Sequence, residues 1–241
     1  MKLSRGRKLT YTMMALTIGA SSFKVQADES DLYKFLWLDP DKKVYVLQNK
    51  LYKKKNTIYA QLGYLSSLSG EYQDTSGINF RTGYYLNEEW AIEGFYNSYS
   101  NKNNEAYENL QRINQSVPFI RRLTSSYGIM GVWSPFYGKI NTFNKIIYFD
   151  WSFGLGVAKI DTESNKDTVS DPNLSSTFTS ESYTGAVAKT GLRVHASKNW
   201  FIGIDLQRTM YKAPGPVINS VPSSSKMRGT TDAILSVGFS F

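Results

Sequence analysis

From Ala233 to the last residue, apolar side chains take every second position: Ala233, Leu235, Val237, Phe239 and Phe241. Asp232, Ser236, Gly238 and Ser240 fill the alternate positions, and only Ile234 breaks the polar set. A period of two is that of a β-strand with one apolar face. The same alternation recurs along the chain and predicts eight strands, over 56–65, 76–86, 90–99, 126–134, 146–158, 183–196, 200–211 and 232–241. Most approach the ~9–11 residues with which a tilted strand crosses a bilayer. The expected short connections are Asn87–Glu89, Pro135–Lys145 and Ser197–Asn199, alternating with longer polar ones at 66–75, 100–125, 159–182 and 212–231. Short turns on one side and long loops on the other are the habit of outer-membrane barrels. An even strand number then leaves both barrel ends on the short-turn, periplasmic side.

Alternation alone also fits a soluble lipocalin-like barrel. Trp200, Ile202, Ile204 and Leu206 share one face of a strand, with Asp205 and Gln207 opposite; Ile147, Phe149, Trp151, Phe153, Leu155 and Val157 do the same on another. The N-terminus, together with the loop asymmetry and the terminal phenylalanine, separates the two cases. Lys2, Arg5, Arg7 and Lys8 precede an apolar stretch from Tyr11 to Phe23 and then Val25-Gln26-Ala27. That order describes a secretory signal peptide over 1–27, cleaved after Ala27. The apolar stretch is shorter than the ~20 residues of a spanning helix, and no run of 18 apolar residues follows Ala27. The expected fold is all-β: an eight-stranded antiparallel transmembrane β-barrel over 56–241, in the outer membrane of a Gram-negative bacterium. A short periplasmic N-terminal segment, 28–55, precedes it.

Composition changes this picture little. Aromatic content is 15%, with 17 tyrosines, and there is no cysteine for a disulfide framework. Mean hydropathy is −0.37, too polar for a helical membrane protein. Five of the 28 basic residues and none of the 20 acidic ones lie in 1–27, which leaves 23 against 20, a net charge of +3. Nucleic-acid binding loses its main support. Trp90 and Trp200 each follow a three-residue turn, in GYYLNEEWAIEGF and RVHASKNWFIGID, and are placed in an aromatic girdle at the membrane–water boundary.

Val237, Phe239 and Phe241 resemble the C-terminal assembly signal that the barrel-insertion machinery reads in outer-membrane proteins, with Ser236 where glycine is usual. The stretch VWSPFYGKINTFNKIIYFDWSFGLGVAKID and the segment DKKVYVLQNKLYKKKNTIYAQLGYLSS, with Val46 and Gln48-Asn49-Lys50, resemble the outer membrane β-barrel domain family of myxobacterial and predatory-bacterial type. Tyr84 to Phe95 resembles that family's hairpin, so the likeness covers most of 42–160. It implies a barrel in the outer membrane, of largely unassigned role, with some members linked to envelope complexes.

Alternation places Arg81, Glu93, Asp150, Lys189, Arg193 and Asp205 on the inward face, three of each sign. Hairpin spacing sets Gly191 opposite Asp205 with Lys189 and Arg193 flanking it, and Arg81 diagonal to Glu93. Diagonal neighbours lie ~7–8 Å apart, within reach of long side chains. The plain reading is a self-neutralising polar core, because a buried charge must be paired; the sharper one is a gated ion path. His195 is the lone histidine and is expected at the periplasmic end. Neither a metal centre nor a cofactor site is expected, since a metal would need more strong ligands than one histidine.

In 28–55, Leu32, Phe35 and Leu36 have helical spacing, and Lys53-Lys54-Lys55 forms a basic run at the barrel entrance. The plain reading is a tether with its lysines at the lipid headgroups; the sharper one is a docking peptide for a periplasmic protein. The expected function is non-enzymatic, a structural or anchoring component of an envelope complex. A narrow pore or carrier for small solutes is the alternative, and a lipid-modifying enzyme the third.

Overall fold

The computed structural model describes residues 52–114, 117–142, 145–166, 177–218 and 221–241. The signal peptide with Ala27, and the N-terminal segment up to Leu51, lie outside them. Among the described residues ten strands are formed: β1 (Ile58–Ser67), β2 (Gln73–Tyr85), β3 (Trp90–Asn103), β4 (Arg121–Thr142), β5 (Lys145–Ser164), β6 (Thr179–His195), β7 (Trp200–Ala213), β8 (Val217–Ile218), β9 (Val221–Pro222) and β10 (Lys226–Ser240). Eight antiparallel strands close into a ring, in the order β1-β10-β7-β6-β5-β4-β3-β2, while β8 and β9 make a separate two-stranded ribbon. Closure satisfies the backbone groups of both terminal strands and leaves no open edge.

The wall is two-sided. Along β7, Phe201, Gly203, Asp205, Gln207, Thr209, Tyr211 and Ala213 are buried, while Trp200, Ile202, Ile204 and Leu206 are exposed. On β10, Asp232, Ile234, Ser236 and Gly238 face inward and Leu235 and Val237 outward, so Ile234 is an apolar member of the lumen. An apolar exterior around a polar, filled interior inverts the distribution of a soluble barrel and matches one that crosses a bilayer.

One end of the barrel carries the turns at 86–89 and 196–199, the tip of the β4–β5 hairpin, and Phe241; we call it the turn end. The other, the loop end, carries longer connections, one of them including a helix, α1 (Glu105–Asn114). Asn104 caps α1, its Oδ1 accepting the Tyr107 N–H at 3.1 Å, and Glu105 and Glu108 in the first turn complement the helix dipole.

Strands β4 and β5, at 22 and 20 residues, run well past the expected 126–134 and 146–158. The segment Pro135–Lys145, expected as a turn, is paired backbone: Phe136 faces Trp151 and Ile140 faces Ile147. A register shift between Trp133 and Phe136 absorbs Ser134 and Pro135, a bulge that lets proline sit where no ladder bond is required. Pairing with β3 stops at Trp90–Trp133, so the rest of this hairpin projects beyond the neighbouring turn.

Candidate functional site: the charged lumen

Eight strands enclose a lumen wide enough for side chains and little else. Glycines on the inner wall make room for the larger groups: a Cβ at Gly191 would collide with the Asp205 carboxylate, and one at Gly83 with the Tyr59 ring. The inward groups stack in layers.

At the turn end, the chain before β1 folds into the mouth. Lys54 Nζ lies 2.8 Å from Asp150 Oδ1, and the two side chains are 5% and 2% exposed. Asp150 Oδ2 is 2.8 Å from His195 Nε2, and the Tyr52 ring stacks on His195 at 4.4 Å with an interplanar angle of 6°. The Glu88 carboxylate accepts the backbone N–H groups of Lys54 at 3.3 Å and Lys55 at 3.2 Å. Lys54 is therefore a lumen residue and not a headgroup lysine. A carboxylate buried inside the barrel needs a partner, and Asp150 finds one in Lys54 of the chain that enters there.

Above this, Arg193 donates to the Tyr85 hydroxyl at 2.8 Å, and its guanidinium lies 4.4 Å from the Tyr59 ring and 4.1 Å from the Phe201 ring. It stacks between aromatic faces, an arrangement suited to guanidinium.

The central layer holds the other four charges in one chain. Arg81 Nη1 meets Asp205 Oδ2 at 2.9 Å and Arg81 Nε lies 3.7 Å from Glu93 Oε1. Lys189 Nζ donates to the same Glu93 oxygen at 2.5 Å. Tyr59 donates to Glu93 Oε2 at 2.5 Å, and Arg81 Nη2 to Gln207 Oε1 at 2.8 Å. Arg81 and Glu93 are 0% exposed. The expected pairing of Asp205 with Lys189 and Arg193 along its own hairpin is not formed. Strand β2 stands three places from β7 in the ring, and β3 three places from β6, so inward side chains from distant strands meet across the lumen before flanking ones can bend toward each other.

Toward the loop end the charges give way to amides and hydroxyls. Asn79 donates to Asn97 at 2.5 Å, Asn97 to Ser126 at 3.1 Å, and the Tyr99 hydroxyl to Asp232 Oδ2 at 3.0 Å. Asn79 Oδ1, Gln207 Nε2, Thr209 Oγ1 and Asp232 Oδ1 are buried with no hydrogen-bond partner among the described residues.

Outside, Trp90 and Trp133 stack at 6.0 Å, and Trp200 meets Phe239 edge-on at 5.1 Å. Phe136 and Trp151 extend the aromatic band at 5.9 Å. Val237 is exposed beside Leu62 in the β1–β10 seam, and Phe241 closes it, its N–H donating to Ile58 O at 2.8 Å. Alternation places Gln207 with Asp205 on the inward face, as found; Lys54 is expected at the headgroups, and sequence reasoning leaves out Tyr59 and Tyr85. The alternation Tyr59, Gln61, Gly63, Leu65 carried the signal for the first of the tyrosines.

The sequence matches the outer membrane protein beta-barrel domain over residues 46–241. No curated protein sequence matches the chain. Among solved structures it is similar to the N-terminal β-barrel domain of OprF from Pseudomonas aeruginosa, at 14% identity over 78% of this chain and 98% of that one, with a TM-score of 0.46. It is also similar to OprG of the same organism (10% identity, 79% and 98% covered, TM-score 0.45) and to Ail of Yersinia pestis (15%, 78% and 99%, 0.41). The closed eight-stranded ring, apolar outside and polar within, is thus joined by a sequence match over most of the chain, and the protein belongs to the outer membrane protein beta-barrel domain family, an integral barrel of the Gram-negative outer membrane.

Proposed function

We propose that the protein is a non-enzymatic barrel that seals its own lumen and serves as a structural or anchoring component of an envelope complex. The observation that carries this reading is the chain Asp205–Arg81–Glu93–Lys189, which crosses the lumen with two charges of each sign and is almost wholly buried. The closure of the turn end by Lys54 and Asp150 adds a second barrier. In this reading the short turns and both termini face the periplasm, as is usual for such barrels. Residues 1–27 are the signal peptide, cleaved after Ala27, and the barrel-insertion machinery recognises Val237, Phe239 and Phe241 during assembly. Segment 28–55 is the docking element for a periplasmic protein, and the finer likeness to myxobacterial barrels over 42–160 belongs to the same proposal. Single-channel recording in planar bilayers tests the seal: the expected conductance is near background, and steady channels would replace this reading with that of a narrow pore. The unpartnered polar atoms Asn79 Oδ1, Thr209 Oγ1 and Asp232 Oδ1 favour that second reading for the loop-end half of the lumen.

A further inference from the structure

The loop end of the barrel opens into a cleft of about 340 Å³, near the lower limit of the ~300–1,000 Å³ typical of ligand pockets. Three arginines line it: Arg121, Arg122 and Arg228. Two have acidic partners: Arg121 Nη2 meets Glu181 at 2.9 Å and Arg122 Nη2 meets Glu163 at 2.7 Å. Arg228 makes no ion pair and no hydrogen bond among the described residues, and its Nε is buried without an acceptor. Two acids share the cleft: Asp232, which is 0% exposed and held by the Tyr99 hydroxyl, and Glu71, which is exposed and forms no ion pair with Arg228 among the described residues.

Arg228 is nevertheless held in place. Its guanidinium lies 5.5 Å from the Phe119 ring, whose centroid is also 5.3 Å from the guanidinium of Arg121. Arg121 in turn lies 5.5 Å from the Tyr183 ring, Tyr183 stacks on Tyr211 at 5.6 Å, and Tyr211 is the cross-strand partner of Arg228. Arg228, Phe119, Arg121 and Tyr183 form a row in which arginine alternates with an aromatic ring, and Tyr211 stacks on its end. Such packing fixes a guanidinium without neutralising it. A fixed, uncompensated guanidinium beside aromatic walls is suited to a planar oxyanion carried on a compact ring.

We propose that this cleft binds an anionic solute of about the size of one sugar ring, its carboxylate taken by Arg228 and its ring lying against Phe119 and Tyr211. The proposal stands whether or not the lumen conducts. The test uses the full mature barrel in detergent micelles, with glucuronate and glucose as probes in isothermal titration calorimetry. Glucuronate is expected to bind at least tenfold more tightly than glucose, and added sodium chloride should weaken it. Arg228→Gln should remove most of that discrimination while the unboiled barrel keeps its compact migration; Arg228→Lys should retain part of it. Arg122→Gln, whose side chain is engaged by Glu163, should change glucuronate affinity less than threefold. Equal binding of the two probes by the unaltered protein would overturn the proposal, a result that needs no variant to fold. So would glucuronate binding left intact by Arg228→Gln.

Discussion

In the chain Asp205–Arg81–Glu93–Lys189 the inner members each hold two partners, so the cost of removing a residue depends on its place. Asp205→Asn leaves Arg81 with Glu93 and Gln207 only, and breaking a buried pair this way costs about 3–5 kcal/mol, less where water enters. Adding Arg81→Met should recover part of that loss. Adding Lys189→Met should not, because it strips Glu93 of its nearest cation; equal recovery by both, measured by reversible urea unfolding in lipid vesicles, would show that Asp205 balances Lys189 after all. Gly191 provides an independent check. A side chain there displaces the Asp205 carboxylate, so Gly191→Val should be strongly destabilising alone and clearly less so in an Asp205→Ala background, a coupling that a double-mutant cycle reads directly. That all four residues face inward follows from alternation, which fixes the side of the wall and nothing more. Which charge meets which depends on how the ring closes, and no single hairpin carries that information.

The strands obey two different constraints, one at each face. Ile204 is 56% exposed on the outer face of β7, and Ile204→Arg should cost about 2–4 kcal/mol if it lies near the bilayer midplane. Arg208, exposed one pleat repeat beyond Leu206, with its side chain bonded among the described residues only to Thr231 Oγ1 at 2.8 Å, should tolerate alanine within about 0.5 kcal/mol. Equal penalties at the two positions would place the midplane elsewhere. Beyond Ser134, whose N–H donates to Glu89 O at 2.7 Å, the described residues of the β4–β5 hairpin pair with no residue of β3. Replacing Ile140–Ile147 with a two-residue Asn-Gly turn, which keeps Lys139 opposite Tyr148, should therefore leave a barrel that still migrates as a compact species before boiling, and loss of that species would show that the tip supports the ring. The eight wall strands were legible from the two-residue period, unlike the β8–β9 ribbon inside the connection expected over 212–231. The true length of β4 was not, because Ser134-Pro135 has the appearance of a turn and acts as a bulge. Helix α1 escaped although Ala106, Tyr107, Leu110 and Ile113 recur at helical spacing, because the polar residues around them gave the stretch 100–125 the appearance of a long loop; Asn104 with the following acids added a start signal.

For the whole molecule, the arrangement of barriers along the lumen decides what the barrel can pass. At the turn end, Tyr52 and Lys54 enter from outside the strands and meet Asp150 and His195; in the middle, the four-charge chain grows from the walls themselves. The first barrier could not be read from alternation, since residues 52–55 belong to no strand, and a basic run beside a membrane ordinarily stays with the headgroups. The two barriers lie in series, so opening one should not open the barrel. Lys54→Ala leaves Asp150 bonded to His195 and the central chain intact, and conductance in planar bilayers should stay near background. Replacing Arg81, Glu93, Lys189 and Asp205 together by alanine removes two charges of each sign, so the lumen keeps its balance while losing its widest side chains. Combined with Lys54→Ala, that variant should conduct, provided it is first shown to fold by its compact migration. Channels seen with Lys54→Ala alone would mean that the central layer already admits ions, and that the N-terminal strap is the gate.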